Sequence, residues 1–149
     1  MKEFLHKAEK ELKIVDHSIY VSLKYTRTVD IIKHIIERLI SSFDFMIEAL
    51  LLYLKKKKKI KEIPVNIGLR YDLLKEKFKE DSKLLECLKF YLMLRKIDRA
   101  EYTKEKEYRR HVTMTIIIDG ESIDVDIDTI NEYYEKTKKC LKYVETIIS

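Results

Sequence analysis

The clearest candidate for chemistry is the run Arg109-Arg110-His111, which places two guanidinium groups directly before an imidazole. A histidine titrates near neutral pH and can donate or accept a proton, while a guanidinium binds phosphate-like anions through its fork of N–H donors. These are the residue types that acid–base chemistry on a phosphate-containing substrate would need. A structural alternative stays open, in which the run leads into a strand and His111 pairs with Asp126 or Asp128.

A second candidate is a lysine run that predicts contact with nucleic-acid phosphates: Lys55, Lys56, Lys57, Lys58, Lys59 and Lys61. Lysine side chains attract a phosphate backbone without reading its base sequence. The run also follows a long apolar stripe, and lysines at a helix C-terminus complement the free carbonyl groups there. Phosphate binding and a solvated helix end are both open.

Three acidic residues, Asp124, Asp126 and Asp128, alternate along a predicted strand and would present oxygen donors on one side. Same-face neighbours on a strand lie ~7 Å apart, too far for one cation to bind all three without further ligands. The remaining histidines are scattered without ligand spacing. The sequence therefore predicts a solvated acidic edge and no metal site.

Glycine is too rare for a nucleotide cofactor site of the usual kinds. Gly68 and Gly120 are the only two glycines, so a glycine-rich phosphate loop is excluded. No serine or cysteine nucleophile stands in a recognisable setting either. We predict no cofactor.

Three-and-four spacing of apolar residues predicts helices over most of residues 2–102. Pro64 interrupts them, and Asn66 and then Asp81 or Ser82 can cap the two helices that follow. We expect burial of the longest stripe, which comprises Ile32, Ile35, Ile36, Leu39, Phe43, Met46, Ile47, Leu50 and Leu54.

Residues 112–127 alternate with period two instead, which predicts two strands. Asp119-Gly120 between them favours a two-residue turn with positive φ at both positions. The turn sets the register, and the expected partners are Ile116 with Ile123, Met114 with Val125, Thr113 with Asp126, and His111 with Asp128.

The predicted fold is mainly α, in a single domain over residues 1–149. It consists of an up-and-down helical bundle over 2–102, one β-hairpin over 112–127 and a C-terminal helix over 129–148. Thr129 and Glu132 have the spacing of a capping box, which places the start of this last helix at Thr129.

The segment Leu94–Tyr102 resembles the fourth-helix region of the HEPN superfamily, helical-bundle proteins of prokaryotic defence and toxin–antitoxin systems. Its closest stretch is Arg99-Ala100-Glu101-Tyr102. A short first helix, a long second helix with an Ala-Leu-Leu end and a proline-marked link precede it, in the order of the family. The resemblance covers residues 1–112.

This resemblance implies metal-independent RNA cleavage by an arginine and a histidine at the cleft of a homodimer, with a nucleotidyltransferase-type protein as a partner. It adds Arg95, Arg99 and Tyr102 as catalytic candidates at the family positions. Active members of the family carry an arginine four to six residues before the histidine. This sequence departs from that pattern, because Lys104 and Lys106 stand at comparable offsets while Arg109 and Arg110 are adjacent to His111. In such chemistry the histidine moves the proton of the 2′-hydroxyl group and a guanidinium holds the charged phosphorane.

The net charge is positive over the first three quarters of the chain and negative over the rest. Residues 1–112 carry 27 basic and 18 acidic side chains, whereas residues 113–149 carry 4 and 8. A basic body attracts nucleic acid or acidic partners. The abundance of Lys, Glu and Ile, together with the absence of Gln, is also typical of proteins from heat-adapted organisms.

The expected location is the cytoplasm. No signal peptide is visible, and the most apolar window, residues 43–54, contains Asp44 and Glu48, so no membrane span is predicted. Cys87 and Cys140 match no metal-ligand or redox spacing. We therefore expect reduced, packed thiols.

Two functions of different classes follow. An RNA-binding protein or metal-independent endoribonuclease requires His111 and an arginine to meet in an exposed groove. A non-catalytic helical dimerisation or protein-interaction domain permits His111 to be tied to Asp126 or Asp128. We also predict a homodimer, because the helices supply more apolar surface than one small bundle readily hides.

Overall fold

The computed structural model describes all 149 residues and confirms the mainly helical fold. None of its helices combines the length and the apolar character needed to cross a membrane. The elements are α1 (Lys2–His17), a π-helical turn (Ser18–Ser22), α2 (Leu23–Tyr25), α3 (Val29–Lys56), α4 (Ile67–Lys77), α5 (Ser82–Arg99), β1 (Tyr102–Glu105), β2 (Thr113–Ile118), β3 (Glu121–Val125) and α6 (Ile127–Ile148).

Helix α3 is the centre of the bundle, and its predicted apolar stripe is buried as expected. Small residues let α1 approach it closely: Ala8 is fully buried, and the Ser42 hydroxyl donates to the Ala8 carbonyl at 3.0 Å. One continuous cluster of 33 buried residues links α3 with α1, α5, α6 and the sheet.

Side-chain contacts between the helices define their directions. Successive long helices are antiparallel, since the start of one lies beside the end of the next. The contacts are Lys33 with Asp98 between α3 and α5, and Asp81 with Tyr143 between α5 and α6. Helices α1 and α3 also run in opposite directions, because Ala8 contacts Ser42 whereas the later Glu11 contacts the earlier Arg38. The predicted up-and-down arrangement is confirmed for these four helices.

The helix starts agree with the sequence in two places and differ in one. Asn66 caps α4 and Asp81 caps α5, accepting from backbone N–H groups at 3.1 Å. The capping box predicted at Thr129 is wrong, because the Asp126 carboxylate accepts from the backbone N–H and the hydroxyl of Thr129 at 2.8 and 2.9 Å. Helix α6 therefore begins at Ile127, two residues earlier than predicted.

The hairpin turn and its register are confirmed where the strands pair. Asp119 and Gly120 have φ values of 52° and 79°, as a two-residue turn of this type requires. Met114 pairs with Val125, and Ile116 pairs with Ile123. The expected extension of this pairing is wrong, since β3 ends at Val125 and the next residues enter α6.

The sheet has three strands, whereas the sequence predicted one hairpin. Strand β1 pairs antiparallel with β2, so that Tyr102 lies opposite Ile116 and Glu105 lies opposite Thr113. All four residues of β1 are exposed. An edge strand with no buried face carries no apolar alternation, which is why the pattern did not reveal it.

The prediction of separate, reduced thiols is wrong. Cys87 on α5 and Cys140 on α6 form a disulfide with their Cα atoms 5.9 Å apart, although 53 positions separate them in the sequence. The antiparallel packing of the two helices brings them together. Sequence spacing alone does not reveal a pair of this kind.

Candidate functional site

Three separate segments of the chain form a cleft of about 340 Å³ at the sheet end of the bundle. Arg27 comes from the connection before α3, Arg110 and His111 from the connection between β1 and β2, and Asp126 and Asp128 from the start of α6. The structure thus places two of the predicted catalytic residues together. Arg27 was missed because no local pattern distinguishes it.

Two hydrogen bonds, one between backbone groups and one to a side chain, fix the loop that carries Arg110 and His111. The Tyr108 N–H donates to the carbonyl of Arg27 at 2.6 Å, and the Glu107 carboxylate accepts from the N–H of Val29 at 3.0 Å. Both bonds tie the loop to the start of α3. They explain how residues more than 80 positions apart come to line one cleft.

Lys104, one of the lysines near the family's arginine offset, is engaged elsewhere. Its ammonium group forms ion pairs with Asp30 at 3.0 Å and Glu107 at 3.9 Å. The hydrogen bond and the negative charge of Asp30 raise the pKa of Lys104. It therefore supports the loop and does not line the cleft.

The His111 imidazole forms no hydrogen bond or ion pair. The residue is exposed, and its one hydrogen bond uses the backbone carbonyl, which accepts from the Thr113 hydroxyl at 2.8 Å. Its expected strand partner, Asp128, lies in the first turn of α6. Asp126 is occupied as the helix cap. Histidine and both acids share the cleft, but neither acid ties the imidazole down.

Arg109 is exposed and does not line the cleft. Its backbone shapes the loop, since its N–H donates to the carbonyl of Lys106 and its carbonyl accepts from the N–H of Val112. The two neighbouring arginines, equivalent in the sequence, therefore differ in position. Arg110 remains the stronger catalytic candidate.

The family-position candidates lie away from the cleft. Arg95 donates to the Tyr91 hydroxyl at 3.3 Å, in the contact between α3 and α5. Arg99 is the exposed last residue of α5. Tyr102 lies on β1, with the Lys33 ammonium 5.4 Å from the centre of its ring. The structure does not assemble these three residues with His111.

A polar network between α3 and α5 was missed by the sequence analysis. The Tyr91 hydroxyl donates to the Asp44 carboxylate at 2.6 Å and accepts from Arg95 at 3.3 Å. Desolvation raises the pKa of Asp44, against the hydrogen bond from Tyr91 and the positive charge of Arg95. Burial likewise raises the pKa of Tyr91.

The sequence did contain a signal for this network. Asp44 and Glu48 interrupt the apolar stripe of α3 one helical turn apart, so they mark one face of the helix. Glu48 forms an ion pair with Arg70 of α4. Paired acids at the boundary of a stripe are typical of contacts with neighbouring helices, and we assign this network a structural role.

The lysine run lies at the other end of the bundle. Lys55–Lys59 and Lys61 are exposed at and beyond the end of α3, and none of them forms an ion pair. Lys57 lies 5.8 Å from the ring centre of Tyr53. Helix α3 has 28 residues and is about 42 Å long at 1.5 Å per residue. The lysines and the cleft are therefore not one site.

The predicted row of acids is also separated. Asp124 remains on β3 and accepts from the Thr115 hydroxyl at 2.9 Å. Asp126 caps α6 and Asp128 lies inside it. The expectation of three acids along one strand edge is wrong, because the strand ends after Val125.

No protein-family model, curated protein or solved structure matches the chain. Function has to be inferred from the arrangement of its own residues.

Proposed function

We propose that the chain binds RNA and cleaves it without a metal ion at the cleft of Arg27, Arg110, His111, Asp126 and Asp128. The supporting observation is that His111 and an arginine meet in an exposed cleft while the imidazole has no acid partner. A purely structural role for His111 would be favoured by a bond to Asp126 or Asp128. The free imidazole instead favours proton transfer.

The cleft contains groups for both proton transfers of such a reaction. The exposed Asp128 carboxylate, in place of the histidine expected from the sequence, takes the proton of the 2′-hydroxyl group, and the 2′-oxygen forms a bond to phosphorus. The bond from phosphorus to the 5′-oxygen breaks, and protonated His111 donates a proton to that oxygen. The products are a 2′,3′-cyclic phosphate and a 5′-hydroxyl group. Asp126 is less suited to the base role because it caps α6.

The two arginines have a distinct role. Arg27 and Arg110 approach from different segments and can hold the non-bridging oxygens of one phosphodiester, where negative charge increases in the transition state. The two acids nearly balance this positive charge. The cleft is thus suited to a single phosphodiester, and affinity for a longer RNA has to come from basic residues elsewhere on the chain.

The decisive experiment measures cleavage of single-stranded RNA in the presence of a chelator. His111→Ala is expected to abolish cleavage, while His6→Ala, which removes an exposed histidine of α1, leaves it intact. Arg110→Ala should lower kcat by about 100-fold, the usual loss for one transition-state charge contact. Arg109→Ala is the matched control and should change kcat by less than about threefold.

Two outcomes contradict this proposal. One is wild-type protein that leaves RNA uncut, and the other is a His111→Ala variant that cuts equally well while remaining folded. A third informative outcome is equal loss in the Arg109 and Arg110 variants. Equal loss of kcat would mean that both arginines act through the overall positive charge of the loop. The position of Arg110 in the cleft would then not explain its effect.

We further propose that two copies associate, as the HEPN resemblance implies, and that a nucleotidyltransferase-type protein is a partner. The apolar stripes are covered within one chain, so they no longer support this assembly. Val65, Ile67 and Leu69 are apolar residues at or just before the start of α4 that remain exposed, with exposed fractions of 92%, 46% and 59%. Sedimentation should detect a dimer that Ile67→Lys with Leu69→Lys dissociates, and a monomer at every concentration contradicts the proposal.

A further inference from the structure

A long groove follows the contact between α5 and α6 and ends against the sheet. Its two hollows, about 700 and 480 Å³, lie next to each other, because Glu86 and Lys136 line both of them. The floor of the larger hollow is apolar. It consists of Phe90, Leu92 and Met93 from α5 and Ile118 and Ile123 from the hairpin.

Six lysines line the two hollows. Lys89, Lys96 and Lys136 line the larger hollow with the apolar floor, and Lys83, Lys139 and Lys142, again with Lys136, line the smaller one. Glu86 is the one acidic residue that lines the groove. None of the six lysines forms an ion pair, whereas Lys33, Lys104 and Lys138 each pair with an acid elsewhere on the molecule. The groove thus combines apolar surface with six lysines that form no ion pair and with a single acidic residue.

We propose that this groove binds an amphipathic helix of a partner protein, with apolar side chains on the floor and acidic side chains against the lysines. A helix in a groove is a common mode of peptide recognition, and complementary charge around an apolar floor sets its specificity. The inference does not depend on the RNA cleft, since the two sites share no lining residue.

The floor favours protein over single-stranded nucleic acid. Bases bind to proteins largely by stacking on exposed aromatic faces. The two aromatic rings that line the groove are already occupied, because Lys136 lies 4.8 Å from the ring centre of Phe90 and Lys83 lies 5.7 Å from that of Tyr143. The remaining floor is aliphatic, and Met93 retains an exposed fraction of 36%. Flexible aliphatic and methionine surfaces fit the apolar face of a helix.

The length of the groove also suits a helix. Lys83 and Lys96 stand near its two ends on α5, and thirteen positions of an α-helix extend about 20 Å. A bound helix of about 13 residues, close to four turns, covers that distance.

The direct test uses a fluorescein-labelled peptide of about 16 residues, long enough to form a helix on binding, with leucine along one face and glutamate elsewhere. Fluorescence anisotropy measures its affinity for the full chain. Lys89→Glu, Lys96→Glu and Lys139→Glu together should weaken binding by about tenfold or more, because they place like charges opposite each other. Met93→Ser should weaken it several-fold by removing apolar contact.

The matched control is Lys56→Glu with Lys57→Glu and Lys58→Glu, which changes the net charge equally at the far end of α3. It should alter affinity by less than about threefold, since none of these three lysines lines the groove and exposed charges that make no direct contact are weakened by screening at physiological salt. A peptide of the same composition in scrambled order should bind much more weakly.

Four outcomes overturn the proposal: no detectable peptide binding, equal binding of the scrambled peptide, equal loss in the control variant, or tighter binding of a single-stranded oligouridine that displaces the peptide. The last result would assign the groove to RNA. Circular dichroism melting of each variant confirms that a loss of binding is not a loss of folding.

Discussion

The two ends of the bundle carry the two kinds of predicted functional residues, and they are built differently. At the far end, Lys55–Lys59 and Lys61 are neighbours in the sequence, remain exposed and form no ion pair. At the sheet end, the cleft draws on residues 27, 110–111 and 126–128, which the fold brings together. Charged residues that are adjacent in the sequence form an exposed basic surface. The cleft, whose residues could support acid–base chemistry, is assembled by tertiary contacts.

This comparison depends on α3 as the element that separates the ends. Leu39 is fully buried near its middle. Leu39→Asp should lower the free energy of unfolding by about 5 kcal/mol, because it leaves an unpaired charge in the core. Urea denaturation measures the loss, and Glu37→Ala on the exposed side of the same helix should remain within about 0.5 kcal/mol of wild type. An unchanged midpoint for Leu39→Asp would show that Leu39 and the apolar stripe of α3 are not buried in the core.

The next largest effect concerns the disulfide, which joins α5 to α6 between the two ends. Cys87→Ser should lower the free energy of unfolding by about 4 kcal/mol, because the open chain regains the conformational entropy of a long loop. Cys140→Ser, the double variant and reduced wild type should show nearly the same loss, since each lacks the same bond. If the single variants retain wild-type stability under oxidising conditions, the bond does not contribute to the fold in solution.

A smaller effect tests whether one RNA contacts both ends. A stacked strand advances 3.4 Å per nucleotide, so about 12 nucleotides are needed to span α3. Lys56→Glu with Lys57→Glu and Lys58→Glu should lower the affinity for an RNA of about 20 nucleotides by about tenfold. The affinity for an RNA of about 6 nucleotides, which binds at the cleft alone, should be nearly unchanged. Filter binding at fixed salt measures both. Equal weakening of the short RNA would mean that the ends are not electrostatically independent.

The smallest effect comes from Asp44, midway between the ends. The pKa of Asp44 is raised by desolvation, so the folded chain holds this proton more tightly than the unfolded chain does. Stability due to this group is therefore lost as pH rises from the ordinary aspartate pKa through the raised value. Asp44→Asn keeps an oxygen that can accept from Tyr91. It should make the free energy of unfolding less dependent on pH in this range.

Urea denaturation between about pH 3 and pH 8 measures that profile, since this range brackets ordinary carboxyl pKa values. Glu37→Gln is the control for removing one carboxylate from α3. A steeper decline in Asp44→Asn than in wild type would reverse the assigned direction of the pKa shift.

Much of the fold follows from local patterns. The apolar stripe of α3 correctly predicted which face of the helix is buried. Asn66 and Asp81 predicted two helix starts, and Asp119-Gly120 predicted the turn and register of the hairpin. Each of these depends on interactions within a few residues or on a regular repeat. Such information is present in the order of the amino acids before any distant contact forms.

Tertiary structure decided the remaining features because they depend on which distant segments meet. The disulfide, the polar network of Asp44 and the pairing of β1 with β2 all join residues that local spacing cannot relate. The cleft is the clearest case. The sequence by itself nominated Arg109, Arg110 and His111 equally, and only the packing of the loop against the starts of α3 and α6 excluded Arg109 and added Arg27. Residue type determines which chemistry is available, and the distances between folded segments determine where it can occur.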